Sequence, residues 1–124
     1  MAIISTSIDT DLQLTVQTVT GEVTADEIIH AVKNYYEGVS IKFILWDFSR
    51  ASLNTIASHQ VGKLTEITIQ YAERRKGGKT ALVFSDNTSF GLGRMFDIMQ
   101  DIHKSDVSHA TFRSREAAIQ WLRE

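Results

Sequence analysis

The residues with the densest chemical potential are Ser85-Asp86-Asn87-Thr88-Ser89, followed by Phe90, Gly91-Leu92-Gly93 and Arg94. Hydroxyls, a carboxylate and an arginine gather there where an apolar strand gives way to a helix. Backbone N–H groups at a helix N-terminus, with an arginine beside them, can hold an anion. Ordinary capping by Ser89, with the glycines allowing close helix packing, uses the same residues and is the favoured reading. Gly91-Leu92-Gly93 lacks the third glycine and the following acidic partner of a dinucleotide fingerprint. Phe90 stands at the loop-to-helix junction, placed to staple the helix start or to touch a partner or lipid. A second group is Asp47, Ser49 and Arg50, behind the apolar run Phe43-Ile44-Leu45-Trp46. A carboxylate in that position is a candidate for a perturbed pKa, and such groups mark sites. Loop capping through Ser49 or Ser52 is the structural alternative and leads. Thr55 and Ser58 add two hydroxyls around the start of a further helix.

Other chemistry is poorly provided for. The 124 residues contain no cysteine and no proline. Thiolate metal sites, disulfides and cysteine nucleophiles are therefore excluded. His30, His59, His103 and His109 form no paired metal-ligand spacing, so no metal is expected. No nucleophile elbow is present, and the close carboxylates Asp9/Asp11 and Asp26-Glu27 sit in a turn and a cap. No catalytic residue and no cofactor follow from these patterns. The net charge is −2, divided into −5 over residues 1–49 and +3 over residues 50–124, where eleven of the thirteen basic residues lie. The basic run Arg74-Arg75-Lys76 falls at a helix end, where cations complement the dipole. It lacks the breadth and interleaved aromatics of a nucleic-acid surface.

The elements that must position these residues are legible from periodicity. Residues 2–8 and 12–19 read as a hairpin about the turn Asp9-Thr10-Asp11. Thr24 and Glu27 form a capping box for a helix with Ile28, Val32, Tyr35 and Tyr36 on one face and Gly38 as its stop. Residues 41–48 read as a central buried strand and 49–57 as a polar loop. Residues 58–75 read as a helix, although Glu66-Ile67-Thr68-Ile69-Gln70-Tyr71 alternates like a strand. A helix is retained there because a strand would break the β/α alternation. Strand 79–85 precedes a helix from Ser89 to Ile102, with Leu92, Met95, Phe96, Met99 and Ile102 as its apolar face. Strand 107–112 precedes a helix capped by Ser114, with the face Ala117, Ala118, Trp121 and Leu122. The order β-β-α-β-α-β-α-β-α predicts one α/β domain over residues 1–124, a mixed β-sheet with a leading hairpin and then βα units.

Three stretches resemble the SpoIIAA-like family within the STAS group of regulatory domains. They are Leu45-Trp46-Asp47-Phe48-Ser49, Ala81-Leu82-Val83-Phe84-Ser85-Asp86 running on through Ser89 to Phe96, and the tail from Thr111 to Leu122. The resemblance implies a four- or five-stranded mixed sheet with helices, and regulatory or binding work. Its best-known members are anti-sigma factor antagonists, switched by phosphorylation of a serine in an Asp-Ser-Ser-Gly stretch. Here that region reads Leu53-Asn54-Thr55-Ile56-Ala57-Ser58-His59. Counted from Asp47, the serine's place falls at Ile56 or Ala57, which accept no phosphate. Thr55 and Ser58 flank it out of register, so the switch is not carried over. The same general fold is similar to Sec14-type lipid carriers, which implies an apolar-ligand or membrane-surface role by analogy.

The first functional expectation is a non-catalytic regulatory module that contacts a protein partner or itself through residues 49–57 and the next helix start. The alternative is a small apolar-ligand or membrane-surface binder using the helix after residue 88, Phe90 and Arg74-Arg75-Lys76. Ligands of parallel βα sheets favour the crevice beyond the strand ends. That rule gathers Asp47, Ser49 and Arg50, then Ser85, Asp86, Asn87, Thr88 and Ser89, and Arg113 beyond a third strand. The first lysine is Lys33, so no basic leader is read, and no apolar run reaches the ~20 residues of a membrane span. A cytoplasmic location, with peripheral membrane contact as the variant, is the expectation.

Overall fold

A computed structural model describes residues 2–37 and 42–124. Strand β1 (Ile3–Asp9) runs antiparallel to β2 (Leu14–Glu22), and the Asp9 carboxylate accepts from the Leu12 N–H at 3.1 Å to close the turn. Helix α1 (Ala25–Glu37) starts from the expected capping box. Thr24 Oγ1 accepts from the Glu27 N–H at 3.2 Å, and the Glu27 carboxylate accepts from the Thr24 N–H at 3.0 Å. There follow β3 (Phe43–Ser52), α2 (Ser58–Ala72), a 3-10 turn at Glu73–Arg75, β4 (Lys79–Val83), α3 (Asn87–Ile102), β5 (Ser108–Phe112) and α4 (Arg115–Leu122). The order of elements is the one the sequence predicts. Gly38 as the stop of α1 and Ile41 as the first residue of β3 lie outside the described residues.

Several boundaries differ, each for a physical reason. Residues 49–52 belong to β3 and not to a loop, because β2 is long enough to keep pairing past an irregularity between Thr18 and Thr20. Its last residues match Thr20 to Arg50, Gly21 to Ala51 and Glu22 to Ser52. Backbone ladders hold this polar end without help from side-chain hydrophobicity. Residues 66–71 are helical despite their alternation, since tertiary packing overrides β-propensity. Helix α2 ends at Ala72. Helix α3 starts two residues early because Asp86, not Ser89, caps it, accepting from the Ser89 N–H at 2.9 Å. Ser114 caps α4 as expected, accepting from the Ala117 N–H at 3.2 Å.

The sheet has the strand order β1-β2-β3-β4-β5, with β2 to β5 parallel. Side chains alternate between its faces. Ile44, Trp46, Phe48, Leu82 and Phe84 join Ile28, Val32, Tyr35 and Tyr36 of α1 and Leu64 of α2 in the larger apolar cluster. Leu14, Leu45, Ala81 and Val83 face the other way, onto Ala118 and Leu122 of α4. Three helices therefore cover one face and α4 covers the other.

Helix α3 is turned against its own hydrophobicity. Its buried residues are Ser89, Gly93, Asp97 and Gln100. Leu92 and Phe96 pack partly against the core, but Met95, Ile98 and Ile102 are exposed, Ile102 at 70%. The expectation that Met95 and Ile102 share the core face is thus corrected. Gly93 sets the rotation: a Cβ there would come within 2.4 Å of the Phe84 ring and 2.9 Å of the Thr111 methyl. The helix rests directly on the sheet at this glycine, and the next turns bring Asp97 and Gln100 underneath.

Gly93→Ala should lose about 1–3 kcal/mol of stability from this overpacking. Gly91→Ala, whose Cβ meets nothing within 4 Å, should gain up to ~1 kcal/mol of helix propensity. Urea unfolding of the two variants checks the pair; equal effects would contradict the close approach at Gly93.

Candidate functional site

The sheet-end residues split into separate groups. Asp47 points to the α4 face and is 8% exposed. One carboxylate oxygen accepts from the Ser49 N–H at 2.9 Å. The other accepts from Arg115 Nε at 3.1 Å and Nη2 at 2.8 Å. Burial pushes the Asp47 carboxyl up, but Ser49 and the Arg115 guanidinium together outweigh it and hold it below the usual carboxylate range. Arg115 is a residue the sequence reading missed; its position as the first residue of α4, on the face opposite the other helices, was its only signal. Ser85 Oγ donates to the Ser49 carbonyl at 2.8 Å, tying the ends of β3 and β4. Thr18, Val19, Asp47, Ser49, Arg50 and Arg115 line a polar cleft of about 270 Å³.

At the start of α3, the Asp86 carboxylate fills the helix terminus itself, and bonding to Ser89 holds its carboxyl below the ordinary range. Ser89 is buried, and Arg94 lies exposed on the outer side of the helix. Phe90 has a core contact after all, packing against the larger cluster with the Arg113 guanidinium 4.1 Å above its ring centre. Near α2, Thr55 Oγ1 donates to the Val23 carbonyl at 3.0 Å, while Leu53 and Ile56 are buried. Asn54, Ala57, Ser58 and His59 remain exposed there. Ala57 precedes the helix, and its N–H donates to Gln60 Oε1 at 2.8 Å. These residues do not converge with Asp47 or Ser89 on one centre.

Convergence occurs between the sheet and the three-helix layer. Val32, Tyr35 and Tyr36 of α1, Val61, Leu64 and Ala72 of α2, and Leu92, Gly93 and Phe96 of α3 line a cavity of about 90 Å³. Trp46, Leu82 and Phe84 form its floor, and Thr68, Arg75, Thr80 and His109 bring polar groups to its wall. Arg75 is 4% exposed. Its Nη1 donates to Tyr36 Oη at 3.2 Å and Thr80 Oγ1 at 2.9 Å. Its Nη2 donates to the carbonyls of Lys42 at 2.7 Å and Lys79 at 2.9 Å. The guanidinium also stands 5.7 Å from the Tyr35 ring centre. Arg75 is therefore not a surface cation at a helix end, which corrects its use in the membrane-contact reading. It closes the bottom of the helical layer by joining α1, β3 and β4. Gly78 permits this knot, since a Cβ there would fall 2.3 Å from the Lys42 carbonyl. Arg74 stays outside, donating to the Tyr36 carbonyl at 3.2 Å, with the Tyr71 ring centre 5.3 Å away.

Polar groups also lie under α3. Thr111 donates to one Asp97 oxygen at 2.6 Å, and Gln100 Nε2 donates to Thr68 Oγ1 at 2.6 Å. The second oxygen of Asp97 and Gln100 Oε1 are buried with no partner among the described residues. Burial first, and Asp101 last, raise the Asp97 carboxyl to about 6 against the opposing pull of Thr111 and Arg94. His109 faces the Phe96 ring edge-on at 5.3 Å, with Nδ1 3.0 Å from the Val107 carbonyl. Burial and the charge of Arg75 push its imidazole down to about 4, against that hydrogen bond.

Folded Asp97 holds its proton to a higher pH than the unfolded chain, so its contribution is lost as pH rises from the ordinary 3.8 to about 6. Asp97→Asn should remove that dependence and raise stability at pH 7 by about 1–3 kcal/mol. Denaturant midpoints between pH 4 and 7 measure it; a variant as pH-dependent as the parent would refute the assignment. Asp47 acts in the opposite sense, losing its contribution only as pH falls below the ordinary carboxylate range.

No protein-family model matches the chain, and no curated protein does. Among solved structures, it is similar to an uncharacterised protein of the DUF3478 family with a SpoIIAA-like fold from Shewanella loihica PV-4. The two are 13% identical, with a TM-score of 0.57 over 98% of this chain and 93% of the other. The five-stranded mixed sheet with four helices, reached first from its hydrogen-bonded order, is the SpoIIAA-like fold.

Proposed function

We propose that this protein is a non-catalytic binding module that takes a small, largely apolar ligand between its sheet and its three-helix layer. One observation carries the reading: an apolar cavity of about 90 Å³ bounded by α1, α2 and α3, each contributing core side chains to its wall. Cores normally contain few voids larger than a water molecule. Apolar cavities stay dry and take up small apolar molecules instead. Among the described residues no group of three or more acidic or histidine side chains is arranged for a metal, and no helix is long and apolar enough to cross a membrane.

A second reading is supported by a different feature. Met95, Ile98 and Ile102 form an exposed stripe along α3. Such a stripe suits contact with a protein partner or a second copy of the chain. The surface at 49–57 expected from the sequence stands beside it as a second candidate contact, with Arg50, Asn54, Thr55, Ala57 and Ser58 exposed and Leu53 and Ile56 buried.

The two indoles provide an internal control for the cavity. Trp46 lines it, whereas Trp121 packs on the α4 face beside Phe112. Titration with 1-butanol should shift the Trp46 indole N–H signal saturably and leave Trp121 unmoved. Ala72→Leu, which adds bulk to the cavity wall, should abolish the shift while the fold persists by circular dichroism. A non-saturable or equal response of both indoles would sink the reading.

A further inference from the structure

The cavity wall contains a charge that meets no acidic partner among the described residues. Four of the N–H groups of Arg75 reach Tyr36, Thr80, Lys42 and Lys79, all neutral oxygens. The Nε–H is buried and meets no acceptor among the described residues. Neither ion pair among those residues involves Arg75: they join Lys63 to Asp26 and Arg115 to Asp47. A buried charge is ordinarily paired, because desolvation of a lone ion is costly. A buried donor without an acceptor likewise costs stability.

We infer that the cavity selects an aliphatic monocarboxylate of short chain, its tail among the apolar side chains and one carboxylate oxygen accepting from Arg75 Nε–H. The inference rests on the cavity reading above and names the ligand class for it. Three physical points lead there. Arg75 has already lost its water on folding, so an entering anion loses only its own. A carboxylate also gains Coulomb attraction to the buried guanidinium that an alcohol of equal length lacks, and this attraction is strong in surroundings of low dielectric. Among the described residues only the Nε–H lacks an acceptor, so the contact is single and suits a carboxylate better than a phosphate, which needs several donors. The volume sets the length. At about 90 Å³ the space is smaller than the ~150 Å³ that accommodates benzene, which limits the tail to a few carbons. His109 does not compete as a second cation, since burial and Arg75 keep it neutral above a pH of about 4.

The test uses the wild-type protein and three probes with the same tail, butyrate, 1-butanol and n-butylammonium, read at the Trp46 indole at pH 7.5. Butyrate should bind at least tenfold more tightly than 1-butanol, and n-butylammonium most weakly. Equal binding of butyrate and 1-butanol would leave the cavity reading standing and overturn the selectivity for an anion. Tightest binding of n-butylammonium would also overturn it. Absence of saturable binding by all three would remove the cavity reading and this inference with it. Arg75→Gln should keep 1-butanol binding and lose the preference for butyrate. Because that substitution also cuts structural hydrogen bonds, the wild-type series decides the matter alone.

Discussion

The strand order dictates where this molecule can bind anything. Doubly wound sheets reverse their order at one point and open a crevice beyond the strand ends there. This sheet runs β1 to β5 without reversal, so α1, α2 and α3 share one face. No crevice forms between helices of opposite faces in the way that rule requires. The available interior lies instead between the sheet and the three-helix layer. It is closed at the bottom by Arg75 and covered on one side by α3. The residues gathered by the strand-end rule, Asp47, Ser85 and Ser89, consequently serve an ion pair, a strand tie and a helix start.

Helix α3 follows from the same constraint. The parallel crossover from β4 to β5 requires a helix on this face. Close approach at Gly93 then fixes which side chains point inward. The result is an underside of Ser89, Gly93, Asp97 and Gln100, with two buried oxygens that meet no partner among the described residues, and an outer stripe of Met95, Ile98 and Ile102. Each unsatisfied oxygen costs on the order of 1–3 kcal/mol. The apolar area that would have compensated is left in water. Helix α3 thus sets a polar underside on the sheet where α1 sets an apolar one, with Ile28, Ile29, Val32, Tyr35 and Tyr36 all buried. One element, α3, borders the cavity and bears the exposed stripe, so ligand binding and partner binding, the two readings of function, share a structural member.

Elements were legible in the sequence because their signals are local. The capping box at Thr24 and Glu27, the turn at Asp9 and the Ser114 cap act within four residues of themselves. What escaped was set by distance. Ser89 and Asp86 are equivalent as caps on paper, and only the backbone geometry awards the terminus to Asp86. Met95 and Ile102 carry a helical period that points to a core, yet Gly93 against Phe84 overrides it. Asp47 was recognisable as a perturbed carboxylate, but its partner stands 68 residues away. Arg75 was the hardest to read, because a basic run beside Gly77-Gly78 has the pattern of a helix end. Its burial depends on Lys42 and Tyr36, which only the tertiary fold brings near.

Arg75 and Arg115 show why volume alone does not choose the site. The cleft beside Arg115 is the larger, about 270 Å³ against about 90 Å³. There the guanidinium is half exposed and already meets the Asp47 carboxylate through two nitrogens. An anion entering that cleft would have to displace a carboxylate held by the backbone of the same strand. Water would also screen whatever attraction remained. At Arg75 the positions are reversed: the charge is buried, its partners are neutral, and one N–H has no acceptor among the described residues. In surroundings of low dielectric an uncompensated cation attracts an anion far more strongly than an exposed one does. The smaller space is thus the one with an unmet electrostatic demand, and that demand, added to an apolar wall, describes a molecule with a short tail and a single negative head.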